Sequence, residues 1–256
     1  MGAIVGATYA LNEAWYDDLV HLDLERLPGM RNGARSSPIT RLRSIFDSGL
    51  AVGHLVLRWG TWAGAEPVIR ALLADLTLGK ELEEARLPYA AIATDLATQE
   101  RYVLERGNAA DAVYASAALA GVLPPHRAGD AVLVDGVYAD SVPIDVARGM
   151  GADVVVAVDA GQRRAAAPPR NALEAFTRAM EIVHHQHAQM RFGEADLVLA
   201  PPFACRVDSL DFGHHRRCVA AGARSVIANR HALAELLEPS RPRARSAAAQ
   251  PTTPAG

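Results

Sequence analysis

The chain has 256 residues, half of them hydrophobic and 21% charged, enough for one large domain with a real core and unlike a disordered or fibrous chain. Its net charge of -3 at pH 7 excludes the basic footprint of a nucleic-acid binder. Cys205 and Cys218 make no disulfide or metal pattern, and no apolar run approaches the roughly 20 residues that span a bilayer, so a cytoplasmic location is expected.

In chain order, the opening MGAIVGATYA predicts a helix. Gly2, Gly6 and Ala10 line one side of it, so its backbone is expected to lie close to a sheet. Residues 28–38, PGMRNGARSSP, read as a polar loop. Trp59 and Trp62, in and after AVGHLVLRWG, suit either core burial or peripheral membrane contact. Four continuous apolar runs then read as strands covered on both faces: 88–96, 131–136, 153–159 and 195–201. Helical patterns over 109–120, 144–151 and 171–192 fall between them. Strand and helix in alternation predict an α/β fold with a mainly parallel sheet. Ligands of such sheets bind beyond the carboxyl ends of the strands, where Asp95, Asp135 and Asp159 stand, so three carboxylates on one rim are expected. HHQH (184–187) puts His184 and His187 on one helix face, and His214 and His215 form a second pair. No third ligand stands at a suitable spacing, so both groups read as solvated faces and no metal is expected. From 239 to 256 the chain reads as a disordered tail, which leaves one domain over 1–238.

Several stretches point further. A helix beginning at Gly2 exposes unpaired N–H groups, and in hydrolases a nucleophilic serine sits on such a turn, written G-x-S-x-G. With Gly2 as the final glycine, Met1 is the fourth position and the serine falls just ahead of this chain. MGAIVGA, PYAAIATDLATQERYVLERG, DAVYASAALAGVLPP and VLVDGVYADSVPIDVARGMGADVVVAVD occur in that order. In wording, order and spacing they resemble the bacterial type of patatin-like phospholipase, from Met1 to about Leu237. Ala120 and Leu123 replace a proline and a phenylalanine of that pattern.

The resemblance implies a three-layer α/β/α serine acyl hydrolase with a Ser-Asp dyad and no cofactor. Its substrate would be a phospholipid, lysophospholipid or other acyl ester. Asp135 matches the dyad aspartate and Gly136 the glycine after it; read without the family, Asp-Gly is a common turn pair. Burial raises the pKa of such a carboxylate and makes it a workable base. Met1 and Gly2 would be the remnant of the nucleophile turn, and a start upstream of Met1 is expected.

Three departures stand beside the match. The serine and the family's glycine-rich oxyanion loop are absent from these residues, along with the strand they belong to. The usual D-G-G or D-G-A reads Asp135-Gly136-Val137. Neither Ser48 nor Ser116 restores the motif. A catalytically inactive, lipid-binding or regulatory relative is therefore the alternative, and a Mg²⁺-dependent phosphoryl-transfer site on the rim aspartates a third reading. Oligomeric state, acyl length and head group are not encoded in any motif.

Overall fold

A computed structural model of the chain describes residues 2–21, 66–120, 123–161, 168–169, 172–203 and 215–238. Met1, the 28–38 loop, Ser48, Trp59, Trp62, Cys205, His214, the His215 side chain and the 239–256 tail lie outside them. The chain runs through α1 (Gly2–Leu11), α2 (Trp15–Val20), α3 (Glu66–Leu76), β1 (Ala91–Asp95), β2 (Glu100–Leu104) and α4 (Ala109–Ala117). It continues through β3 (His126–Ala128), β4 (Ala131–Asp135), α5 (Ile144–Gly149), β5 (Val156–Val158), α6 (Ala172–Phe192), β6 (Leu197–Leu199), α7 (His215–Ala228) and α8 (Arg230–Leu237).

All four strands read from the apolar runs are present, and the α/β class holds. The direction of the strands differs from the expectation. Four strands in the order β2-β1-β4-β3 pair antiparallel throughout, and only β5 and β6 pair in parallel, as a separate sheet. The cause lies in the connections. Four residues join β1 to β2, and Gly129-Asp130 alone joins β3 to β4. Links that short close hairpins, because a parallel crossover needs a dozen residues or more. Gln99 and Gly129 take positive φ angles of 65° and 62° in these turns.

The main core lies between helices and sheet. Asn108 caps α4 by accepting from the Asp111 N–H at 3.2 Å, and the alanine-rich helix then packs against β1 and β4 on one side and α1 and α3 on the other. Leu11, Leu73, Leu76, Val113 and Tyr114 fill this space. Full burial of Leu11 or Val113 stabilises the fold by about 2 kcal/mol each. Tyr114 is wholly buried and satisfies its hydroxyl by donating to the Pro124 carbonyl at 2.9 Å.

The first helix packs differently from its reading. Its buried residues, Ala7, Thr8, Ala10 and Leu11, face α4 rather than a sheet. Of the small residues singled out, Gly6 makes the close approach: a Cβ there would meet the Tyr89 ring at 3.1 Å, and the Tyr89 hydroxyl donates to the Ala3 carbonyl at 2.9 Å. Gly2 is exposed with open space where a Cβ would stand.

Arg70 of α3 joins three elements. It donates Nε–H to Glu66 at 2.8 Å, a second N–H to Asp111 and a third to His126 Nδ1 at 2.8 Å. Its guanidinium also lies 4.1 Å from the centre of the Tyr114 ring. Glu66, Arg70, Asp111 and His126 line an open cleft of about 560 Å³ that does not include Asp135.

Candidate active site

β4 ends at Asp135, and the chain turns at once through a 3₁₀ turn, Gly136–Tyr138. The neighbouring β1 forces this turn to begin with glycine. A Cβ at position 136 would lie 2.3 Å from the Ile92 carbonyl oxygen, so no side chain fits. The φ of Gly136 is not in the left-handed region, so glycine serves here for space and not, as a steep turn predicts, for its angle. Val137 likewise has no left-handed angle, and its β-branched side chain is tolerated in the turn.

Three hydrogen bonds fix Asp135. Its N–H donates to the Ala118 carbonyl at 3.0 Å, and its carbonyl accepts from Thr94 Oγ1 at 2.9 Å. Its Oδ1 accepts from the Val137 N–H at 2.9 Å, and no described residue donates to Oδ2. Burial raises the Asp135 pKa above the ordinary carboxylate value. The Val137 bond, the positive charge of the chain's amino terminus and His184 pull it partly back.

The three rim aspartates do not share one rim. Because β1 runs against β4, Asp95 pairs with Leu133 while Asp135 pairs with Ala93, two residues along, and the two carboxylates close opposite ends of the pair. Asp95 staples its own turn. Its Oδ1 accepts from Ala97 N–H and Val132 N–H, both at 3.0 Å, and its Oδ2 from Thr98 Oγ1 at 3.1 Å. Those backbone bonds hold its pKa below the ordinary value. Asp159, just past β5, accepts from Gly161 N–H at 2.9 Å and from Gln189 of α6 at 3.3 Å.

α6 is what the sequence reading underrated. HHQH was expected to be a solvated face, yet His184, His185 and His187 are all half-buried. The His184 ring meets the Tyr138 ring edge-on, with centroids 5.3 Å apart at 76°, and its Nε2 is shielded without a hydrogen-bond partner among the described residues. His185 lies against Gly161, its Nδ1 3.0 Å from where a Cβ would stand. Near the end of α6, Arg191 donates to Asp145 of α5, which Arg101 of β2 also holds at 2.7 Å. Arg101 reaches the buried Asp140 at 2.6 Å, and its grip on Asp145 holds that carboxyl down to about 2. Among the described residues no three His, Cys, Asp or Glu side chains converge to hold a metal, and no helix is long and apolar enough to cross a membrane.

Fold and site together define an α/β protein built around a shielded carboxylate at the end of an inner strand. The family model described as patatin-like phospholipase matches residues 1–148, more than half the chain, and the chain belongs to that family. Its three-layer α/β/α class is the family's. The chain is 38% identical over 93 residues to patatin-like phospholipase domain-containing protein 7 of Mus musculus, covering 36% of this chain and 7% of that protein. It is 37% identical over 86 residues to patatin-like phospholipase domain-containing protein 6 of Homo sapiens, covering 33% of this chain and 6% of that one. Against an uncharacterised NTE family protein of Mycobacterium tuberculosis it is 29% identical over 173 residues, covering 66% of this chain and 42% of the relative. The matches thus span less than half the length of these relatives.

Proposed function

We propose that this chain carries the base of a serine acyl hydrolase acting on phospholipid, lysophospholipid or a related acyl ester. Asp135 takes the proton of a serine hydroxyl as its oxygen attacks the ester carbonyl, the alcohol leaves with a proton, and water releases the acid from the acyl-serine in a second round. The observation that carries this reading is the half-buried Asp135 carboxylate at the end of β4, with its pKa raised by burial and one oxygen free of any donor among the described residues. An aspartate at its ordinary pKa of about 3.9 is a weak base for an alcohol, and burial narrows that gap. In this reading the serine stands directly ahead of Met1, and the domain extends to about residue 238. The protein works in the cytoplasm, in peripheral contact with a membrane that supplies its substrate.

The test compares the 256-residue chain with one extended upstream in its own reading frame, on a short-chain nitrophenyl ester. Hydrolysis by the extended form alone, lost in Asp135→Asn, is the expected result. Hydrolysis that survives Asp135→Asn overturns it. The alternative, a lipid-binding relative without activity, is favoured by the lack of any G-x-S-x-G within these residues. Silence of both forms decides for it.

A further inference from the structure

One peptide unit links Asp135 to Asp140 across the turn after β4. The N–H of the 136–137 peptide, on Val137, donates to Asp135 Oδ1 at 2.9 Å. The carbonyl of the same unit, on Gly136, accepts from the Asp140 N–H at 2.8 Å and the Ala139 N–H at 3.1 Å. A trans peptide is planar, with its N–H and C=O pointing opposite ways, so whatever fixes the carbonyl also aims the N–H. Residue 140 is fixed in turn by its side chain. Asp140 is buried, and its Oδ1 accepts from the Val142 N–H at 3.0 Å. Its Oδ2 accepts from Arg101 of β2 at 2.6 Å, with Arg191 of α6 3.7 Å away. Arg101 is itself braced against the Asp145 carboxylate of α5 at 2.9 and 2.7 Å. A buried carboxylate must be paired, and these charge-assisted, directed bonds give the backbone of residue 140 one place. An unbroken path of bonds thus runs from β2 through the turn to Asp135.

We propose that Arg101 and Asp140 are positioning residues for Asp135: their ion pair holds the 136–137 peptide in the orientation that aims the Val137 N–H at Asp135 Oδ1, leaving Oδ2 to take the hydroxyl proton. The proposal rests on Asp135 acting as the base. With Oδ1 occupied, the carboxylate keeps one orientation, and no described residue donates to its other oxygen. Without the clasp the 136–137 peptide tilts, the carboxylate swings about its side-chain torsions, and its lone pairs are no longer aimed at one point. Such misplacement costs turnover more than binding, because Arg101 and Asp140 act only through the backbone of the turn.

The test follows the Val137 amide of the full 256-residue chain by NMR through the carboxylate titration, over about pH 2 to 7. An amide bonded to a carboxylate shifts as that carboxylate ionises, and the size of the shift reads the bond. Asp135→Asn abolishes the shift and so assigns it. Arg101→Met keeps the aliphatic stem, and Asp140→Asn keeps the shape and the acceptor for Val142; either decides the matter if the other fails to fold. Each is expected to cut the Val137 shift to about half or less, and the double variant to cut it no further than the lower single, as one path requires. The Ala97 amide, bonded to Asp95 at 3.0 Å, keeps its shift in both, which separates a lost clasp from a loosened sheet. A full Val137 shift in a folded variant overturns the proposal, and so does an equal loss at Ala97. In the extended form, Arg101→Met lowers kcat about tenfold with KM within about twofold, and an unchanged kcat counts against the proposal. The NMR readout needs no hydrolysis, so the two readings fail separately. A Val137 shift lost in Arg101→Met, in a protein whose extended form keeps its rate in Asp135→Asn, sinks the assignment of the base. A full shift with that rate lost sinks the clasp alone.

Discussion

Asp95 and Asp135 end neighbouring strands two registers apart, both follow a buried apolar run, and both bond backbone N–H groups. They differ in how many. Asp95 gathers two backbone N–H groups and a threonine hydroxyl around its two oxygens, which favours its charge. Asp135 receives one N–H and lies where burial disfavours its charge. The same side chain is thus a staple at one end of the sheet and a candidate base at the other. The strand that delivers it does not set its chemistry; the donors around it do.

The largest separation of the two ends lies in catalysis. In the extended, nucleophile-bearing form, Asp135→Asn lowers kcat by roughly 10²–10⁴-fold, the usual worth of a general base, while Asp95→Ala leaves kcat within a small factor in the folded fraction. A nitrophenyl-ester assay normalised to folded protein reads both. Next is Gly136→Ala. A methyl 2.3 Å from the Ile92 carbonyl forces β1 and β4 apart, and a urea melt is expected to show a loss of about 3 kcal/mol. Wild-type stability in that variant would mean that the turn has slack and that Asp135 is not held in one place.

Stability against pH separates the carboxylates by sign. Asp95 has a lowered pKa in the fold, so its contribution is present above the unfolded carboxylate value and is lost as pH falls through the folded one. Asp95→Ala therefore lowers the melting temperature by several degrees at pH 7, and the deficit narrows in acid. Asp135 has a raised pKa, so its charged form costs stability once pH rises through the folded value. Asp135→Asn is expected to melt higher at pH 7, by about 1–2 °C, with the advantage gone below about pH 4. An Asp135→Asn chain that melts lower at pH 7 would show that its charge is a structural one, like that of Asp95.

Much of the architecture was legible because it rests on apolar runs. β1, β4 and β6 each carry three to five consecutive buried or half-buried positions that need no long-range information, while β5 buries only Ala157 between two exposed valines, and α4 and α6 carry clear helical patterns. β2 and β3 were missed. β2, ERYVL, is polar and half-exposed, and β3, HRA, is three residues long with no apolar signature. A turn signal that would have found the second hairpin was present in Gly129-Asp130, whereas Thr98-Gln99 carries none. Missing those hairpins turned the sheet parallel on paper and placed Asp95 beside Asp135. At the site, Asp135 and Gly136 were readable from the strand end and the family wording. The place of His184 was not. Nothing in the local sequence marks the partner of His184, which is Tyr138, 46 residues earlier in the chain. Gly136 was readable as glycine but for another reason, because a close contact with β1 leaves no trace in local sequence.

Arg70 has a consequence of its own. A guanidinium offers only donors, so His126 meets it with a bare Nδ1 and carries its proton on Nε2. A second proton would set two cations face to face, and burial together with Arg70 already holds the His126 pKa below its usual value. The unfolded chain takes up that proton more readily, so this clasp between α3 and the β3–β4 hairpin weakens as pH drops below about 6.5. Mild acid therefore loosens the molecule at a joint apart from Asp135.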